Sequence, residues 1–341
     1  MATIQDVAKM AGVSVATVSR VLNNSPLVCE KTRENVWKTI KNLDYKPNLL
    51  GRNLRRIETR MILVLLPNIS NPFYSRVVKG IEDVARENGY NIMLCNTDSR
   101  PERESVYLQL LRNRLADGVI FMAPELGPGE LSDIGRSFPV VQCCEYKEGA
   151  MVSQISIDNF SAAYKAVEYL IGLGHKRIGL ITCKNNFVST IGRKEGYKRA
   201  MEDSGLIFDP GLVKYGNYSF KSGIKAAKQF LLMKENSPTA VFAISDVMAI
   251  GAIRGFKEKG VNVPGDISVM GFDGISYAEM YNPALTTISQ PQYELGCESM
   301  RLLLMHIKGE VIGPRNMILE HKPVIRESTR RISKDNPHNY F

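Results

Sequence analysis

At 341 residues the chain is too long for one small core, and 44% hydrophobic with 23% charged residues is the balance of a soluble globular protein of two or three domains. No apolar run approaches the roughly 20 residues that span a bilayer, and Asp6 and Lys9 interrupt the N-terminus where a secretory signal would be apolar, so a cytoplasmic protein is expected. Six cysteines without C-x-x-C spacing and four scattered histidines point to reduced thiols, with no disulfide framework, no metal site and no cofactor.

Of the net charge of +9, residues 1–60 carry +6, from five Lys and six Arg against five acids, and the rest of the chain carries only about +3. A concentrated basic excess is the electrostatic footprint of a phosphate-backbone binder. The elements of this basic head agree. Thr3 to Asn24 reads as two short helices joined by a tight turn. Ile4, Val7, Ala8 and Ala11 share one apolar face of the first helix. Thr3 caps it, Asp6 answers the free amides three residues on, and Gly12 stops it by accepting a positive φ. Ser14 caps the second helix, whose inward face is Val18, Val21 and Leu22. Val15, Ala16, Thr17, Ser19 and Arg20 then point outward. Methyls that touch thymine, hydroxyls that reach phosphates and an arginine that pairs with guanine suit a DNA major groove. An ordinary helical hairpin is the bland alternative, and the basic neighbours weigh against it.

Val28 to Leu43 reads as a third helix, packed through Val36, Trp37, Ile40 and Leu43, with Lys31, Arg33, Lys38 and Lys41 facing water or phosphate. Pro47 breaks the pattern. Asn48 to Arg56, NLLGRNLRR, has leucines but no core of its own to bury them. It reads as a hinge that folds on contact with DNA, Leu54 wedging between bases in the minor groove while Arg52, Arg55 and Arg56 hold phosphates. A flexible tether is the alternative.

From Met61 the texture changes to fully apolar strands alternating with amphipathic helices. Strands are expected at 61–67, 90–96, 117–122 and 139–143, with helices at 73–88, 101–114 and 129–136 between them. A second series runs strand 154–157, helix 160–172, strand 177–182, helices 190–204 and 219–234, strand 239–243, helix 245–259 and strand 267–271, with a helix at 291–308. Such strands belong to parallel sheets covered on both faces, so the fold class is α/β, an all-α head followed by two doubly wound lobes. Ligands of open α/β sheets sit at the carboxyl ends of the strands. The loops there offer Asn71, Phe73 and Tyr74, then Cys144, Glu145 and Tyr146, then Asp158 and Asn159, then Thr190 and Arg193, and finally Asp246, Asp273 and Gln290. Aromatics that stack on a ring and Arg, Asp, Asn and Gln that fork onto hydroxyls describe a small polar-ligand site between lobes. Singly, each is an ordinary cap or surface residue. No phosphate loop, nucleophile elbow or dinucleotide fingerprint is present, so no enzyme is expected.

These stretches resemble the LacI family of bacterial transcription regulators over essentially the whole chain. TIQDVAKMAGVSVATVSRVLNN is similar to the family's DNA-binding signature and DYKPNLLGRNLRR to its hinge helix. NISNPFYSRVVKGIEDVARENGY, ADGVIF, ISIDN, LGHKRIGLI, PTAVFAISDVMAIGA, DISVMGFDGI and PALTTISQP follow in order. The resemblance implies a helix-turn-helix head at 1–46, a hinge at 47–60, and a core of periplasmic-binding-protein type at 61–330. The core's N-lobe would be 61–159 and 291–322, its C-lobe 160–290 and 323–330, with a tail at 331–341. It also implies a homodimeric repressor on double-stranded operator DNA, with Thr3, Ser14, Asn23 and Asn48 completing the DNA contacts. Family pocket positions carry over as Phe73, Tyr74, Arg193, Tyr218, Asp246, Asp273 and Gln290. The loop Cys144–Glu145–Tyr146 departs from the commonest pattern and, with IETRMILVLLP and QPQYELG, is similar to the cytidine repressor branch, which raises a ribose-containing effector over a simple hexose. A phosphoprotein co-regulator and a pure solute-binding protein remain the alternatives.

Overall fold

The computed structural model describes residues 2–22, 24–45 and 58–332. Asn23, Asn48, Arg52, Leu54 and Arg55, with most of the expected hinge and tail, lie outside the described residues. The chain divides into two compact units at Thr59 and Arg60.

The head holds helices α1 (Ile4–Ala11), α2 (Val15–Leu22) and α3 (Glu30–Asn42). Local chemistry fixes their ends. Asp6 N donates to Thr3 Oγ1 at 3.3 Å while Thr3 N donates to Asp6 Oδ2 at 2.8 Å, a reciprocal capping box. Gly12 ends α1 at φ 66°, and Thr17 N donates to Ser14 Oγ at 3.1 Å to open α2. Val7, Ala8, Ala11, Val18, Val21, Val36 and Ile40 make the core. Two expectations change. Trp37 is 45% exposed, because its place beside Val36 turns it off the Val36–Ile40 stripe. Arg33 is half-buried and donates Nη2 to Ser25 O at 3.0 Å, so it ties down the loop before α3 instead of facing phosphate.

The core unit contains two six-stranded sheets. The first has the order β11-β5-β4-β3-β1-β2, all parallel, from β1 (Met61–Leu66), β2 (Asn91–Asn96), β3 (Gly118–Phe121), β4 (Val140–Cys143), β5 (Ser153–Ile157) and β11 (Asn316–Leu319). The second has the order β12-β10-β9-β8-β6-β7, from β6 (Ile178–Cys183), β7 (Val213–Gly216), β8 (Ala240–Ala243), β9 (Ser268–Asp273), β10 (Thr286–Ser289) and β12 (Lys322–Val324), with only β12 antiparallel. Ile62 to Leu66 are buried because helices cover both faces of the sheet, which is why β1 is apolar throughout. The chain passes between the sheets three times, at 158, at 290–291 and at 320–321.

Periodicity did not anticipate β7, β10, β11, β12 or the short helix Ser276–Met280. β10 is instructive. Its sequence TTIS is polar, yet Thr286 and Thr287 are fully buried. The Thr287 hydroxyl donates to Asp246 Oδ1 at 2.6 Å and the Thr286 hydroxyl lies 3.0 Å from that of Thr329. Buried hydroxyls are tolerated once paired, and their partners are distant in sequence.

The helices Pro72–Glu87 and Gln292–Ile307 hold the first lobe's inner face. They cross at two glycines: a Cβ on Gly80 would meet Tyr293 O at 2.1 Å, and one on Gly296 would meet Val77 O at 2.0 Å. Gly80→Ala should therefore lower the unfolding free energy of the core by about 1–3 kcal/mol in urea titration. An unchanged midpoint would mean that the helices separate at no cost.

Candidate functional site

A cavity of about 400 Å³ lies between the two sheets, at the carboxyl ends of their strands. Its wall from the first lobe includes Asn68, Phe73, Tyr74, Asp98 and Glu145; from the second it includes Phe187, Ser189, Arg193, Tyr218 and Asp273. The strand order of each sheet changes direction beside β1 and β6, which is where doubly wound folds leave room for a ligand.

Arg193 anchors the site. It is only 5% exposed, from the helix Val188–Asp203. Its Nε donates to Asn159 Oδ1 at 2.9 Å and its Nη1 to Ile244 O at 2.7 Å; Nη1 also lies 3.4 Å from Asp273 Oδ1, and the guanidinium rests 3.7 Å from the Phe272 ring centroid. Nη2 has no hydrogen-bond partner among the described residues and is the donor left for a ligand. Asp273 ends β9 at φ 121°, an unusual backbone for a non-glycine residue. Its Oδ1 accepts from Gln290 Nε2 at 2.8 Å, and its backbone oxygen accepts from Gln292 Nε2 at 2.7 Å.

The loop after Asp273 is pinned by Asp246. Its Oδ2 accepts from Gly274 N at 2.7 Å and Ile275 N at 2.9 Å. Asp246 is fully buried and packs so tightly that a Cβ on Gly271 would meet its Oδ1 at 2.2 Å. Opposite, Glu145 reaches across the cleft. Its Oε2 accepts from Ser189 N at 3.2 Å, in the first turn of Val188–Asp203, where a carboxylate meets free amides and the positive helix end. A three-residue turn presents it: Glu145 N donates to Cys143 O at 2.9 Å, with Cys144 at φ 72° between them. Phe73 and Tyr74 pack edge to face at 5.3 Å on the first lobe, and the Tyr218 hydroxyl lies 2.6 Å from that of Thr190 on the second.

Six of the nine residues expected to bind an effector therefore line the cavity: Phe73, Tyr74, Glu145, Arg193, Tyr218 and Asp273. Asn159 and Gln290 stand one layer behind, holding Arg193 and Asp273. Asp246 was expected in the cleft and is not there; its carboxylate is spent on backbone amides and Thr287. Asp158 caps the helix Asn159–Gly172 by accepting from Ser161 N at 2.9 Å. Asn68, Asp98, Phe187, Ser189 and Asn217 went unnamed. All follow strand ends, and that position is the signal the sequence offers for them, but β7 carries no strand periodicity and polar loop residues look alike in sequence.

On the head, Thr3, Ser14, Val15, Ala16 and Arg20 are exposed, with Thr17 and Ser19 half-buried. They gather along the start of α2 and beside α1, while Val18 and Val21 face inward. Thr3 and Ser14 also serve as the helix caps, and the Ser14 hydroxyl lies 2.9 Å from that of Thr17.

Residues 3–48 match the family described as "Bacterial regulatory proteins, lacI family", and residues 59–330 match "Periplasmic binding proteins and sugar binding domain of LacI family". The chain is similar to the HTH-type transcriptional repressor CytR of Escherichia coli K12, 38% identical over 332 residues that cover 97% of each protein. The lac repressor dimer bound to operator and the anti-inducer ONPF superposes with a TM-score of 0.87 at 28% identity, over 96% of this chain and 99% of that one. The transcriptional regulator CelR in complex with cellobiose gives a TM-score of 0.72 at 32% identity, over 96% and 100%.

Burial pushes the Asp273 carboxyl up to about 6, against the pull of Arg193 and the Gln290 amide. Asp246 is raised too, by burial first and by the neighbouring Asp273 charge second. A carboxyl raised in the fold stabilises it below the unfolded value of 3.8 and loses that contribution as pH rises through 6. Urea unfolding across about pH 4 to 7 should show wild type losing stability relative to Asp273→Asn as pH rises. Parallel profiles would assign the titration to another group.

Proposed function

The chain belongs to the LacI family of bacterial transcription regulators, and from that premise we propose that it is an effector-controlled operator-binding repressor whose cleft takes a small, hydroxyl-bearing ring compound, a sugar or nucleoside. It is a DNA-binding transcriptional regulator. The effector reading rests on one observation: Arg193 and Asp273, a forked donor and an acceptor, line one cavity together with Phe73, Tyr74 and Tyr218. A cavity of about 400 Å³ accommodates one small ring compound and its hydroxyls. In this reading Glu145 senses the occupant from the first lobe while Asn159 and Gln290 keep its partners oriented.

The DNA face in this reading is Val15, Ala16, Thr17, Ser19 and Arg20, with Thr3 and Ser14 at the helix starts and Asn23, Asn48, Arg52, Leu54 and Arg55 beyond them. The active species is a homodimer. Exposed Met93 and Leu94 on the edge strand β2, and Tyr277 and Met280 in the second lobe, offer apolar surface to a second copy. Effector binding then changes operator affinity by a coupling of typically ~1–3 kcal/mol.

Two measurements test this. Thermal shift of the full chain against sugars and nucleosides should find a ligand that adds ~2.7 kcal/mol at 100 times its dissociation constant. Arg193→Gln should abolish the shift, and a silent screen in both classes sinks the small-effector reading. Separately, DNA sites selected from a random library should bind wild type with a preference that Arg20→Ala reduces by ~1–3 kcal/mol. Unchanged discrimination in that variant would remove Arg20 from base readout.

A further inference from the structure

The cleft is short of positive charge. Three acids line it, Asp98, Glu145 and Asp273, against one cation, Arg193. Two of the acids have a partner: Asp98 pairs with Arg103, and Asp273 Oδ1 lies 3.4 Å from Arg193 Nη1. Glu145 makes no ion pair among the described residues. It is 9% exposed, and what meets its Oε2 is the Ser189 amide, with the partial charge of a helix end behind it. Burial pushes its carboxyl up, while Ser189 and, beyond ion-pairing distance, Arg193 pull against that rise. A carboxylate this far out of water keeps a deficit that a full cation would fill.

Aromatic rings stand around the same carboxylate. Phe73, Tyr74, Phe187 and Tyr218 share the cavity lining with it. The Glu145 charge reaches both phenols. Burial and then Glu145 push the Tyr74 hydroxyl up; burial raises Tyr218 against the pull of Arg193, and Glu145 adds to that rise. Ring faces are negative, so a carboxylate set among them is an arrangement that receives an ammonium group. A phosphate or carboxylate on the ligand would meet the opposite: three acids, and one arginine already bonded to Asn159, Ile244 and Asp273.

We propose that the effector is a cation: a hydroxylated ring carrying a protonated primary amine, an aminosugar or aminonucleoside, with the ammonium between Glu145 and the aromatic rings and the hydroxyls on Arg193 and Asp273. The inference rests on the effector reading of the cleft and narrows it, because neutral and acidic sugars lack the group that Glu145 calls for. Glu145 is then the residue that sets specificity, separate from the pair that holds any hydroxylated ring.

Matched ligands that exchange one hydroxyl for an amine test this, by thermal shift of the full chain in slightly acidic buffer where the amines are protonated. The pairs are glucosamine with glucose, galactosamine with galactose, mannosamine with mannose, and an aminodeoxyadenosine with adenosine; glucuronate is the anionic control. At least one amine should bind about tenfold or more tightly than its hydroxyl partner, the worth of one charged hydrogen bond. In Glu145→Gln that preference should vanish. Equal or tighter binding of the neutral partners, or of glucuronate, overturns the inference and leaves the sugar-or-nucleoside reading standing. Silence from every amine and every neutral partner overturns both. A preference that persists in Glu145→Gln overturns the assignment to Glu145. The ligand pairs are compared on the wild type, so they decide even where the variant does not fold.

Discussion

The buried pair Arg193 and Asp273 is the constraint on which the effector-binding unit depends. Removing two charges from water is expensive, and it is tolerated where further hydrogen bonds offset the lost hydration. Here Asn159, the Ile244 carbonyl and the Phe272 ring meet Arg193, while Gln290 and Gln292 meet Asp273. These partners come from the ends of β5, β8, β9 and β10, so the pair fixes how four strand ends converge. Asp246 acts one layer deeper, tying Gly274 and Ile275 so that Asp273 can hold its positive φ.

Within that frame, stiffness and freedom fall in different places. Each lobe is a sheet wrapped by helices, and the inner helices of the first lobe touch backbone to backbone at Gly80 and Gly296. Such contacts hold those two helices at close range. Between lobes the links among the described residues include three crossings, the reach of Glu145 to Ser189 N and the bond from Gln292 Nε2 to Asp273 O. Under the proposed function, a ligand bridging Glu145 on one side and Arg193 with Asp273 on the other would act on the relation between the two lobes. A large movement from a small contact requires such an arrangement.

The vicinal thiols contribute backbone geometry to the site. Cys143 and Cys144 end β4 with sulfurs 3.5 Å apart, and both are buried. The hydrogen bond with the neighbouring Cys143, and burial after it, push the Cys144 thiol up, away from a reactive thiolate. Their place in the structure is the turn that delivers Glu145, and the contribution of Cys144 is its backbone conformation.

The sequence by itself determined everything that is local and periodic. Thr3, Asp6 and Gly12 set the ends of the first helix through bonds three or four residues long, and the 3.6-residue apolar stripe chose the head's core. Continuous apolar runs such as MILVLL announced strands covered on both faces, and their alternation with helices announced two doubly wound lobes. Tertiary structure alone decided which polar residues line the cleft. Asp246 and Asp273 are the same residue type at similar strand-end positions. One is sealed by Thr287, 41 residues away, and the other opens on the cleft. The buried threonines of β10 escaped the apolar criterion for the same reason. Burying a polar group depends on a partner brought by the fold, and that partner leaves no periodic mark in the sequence.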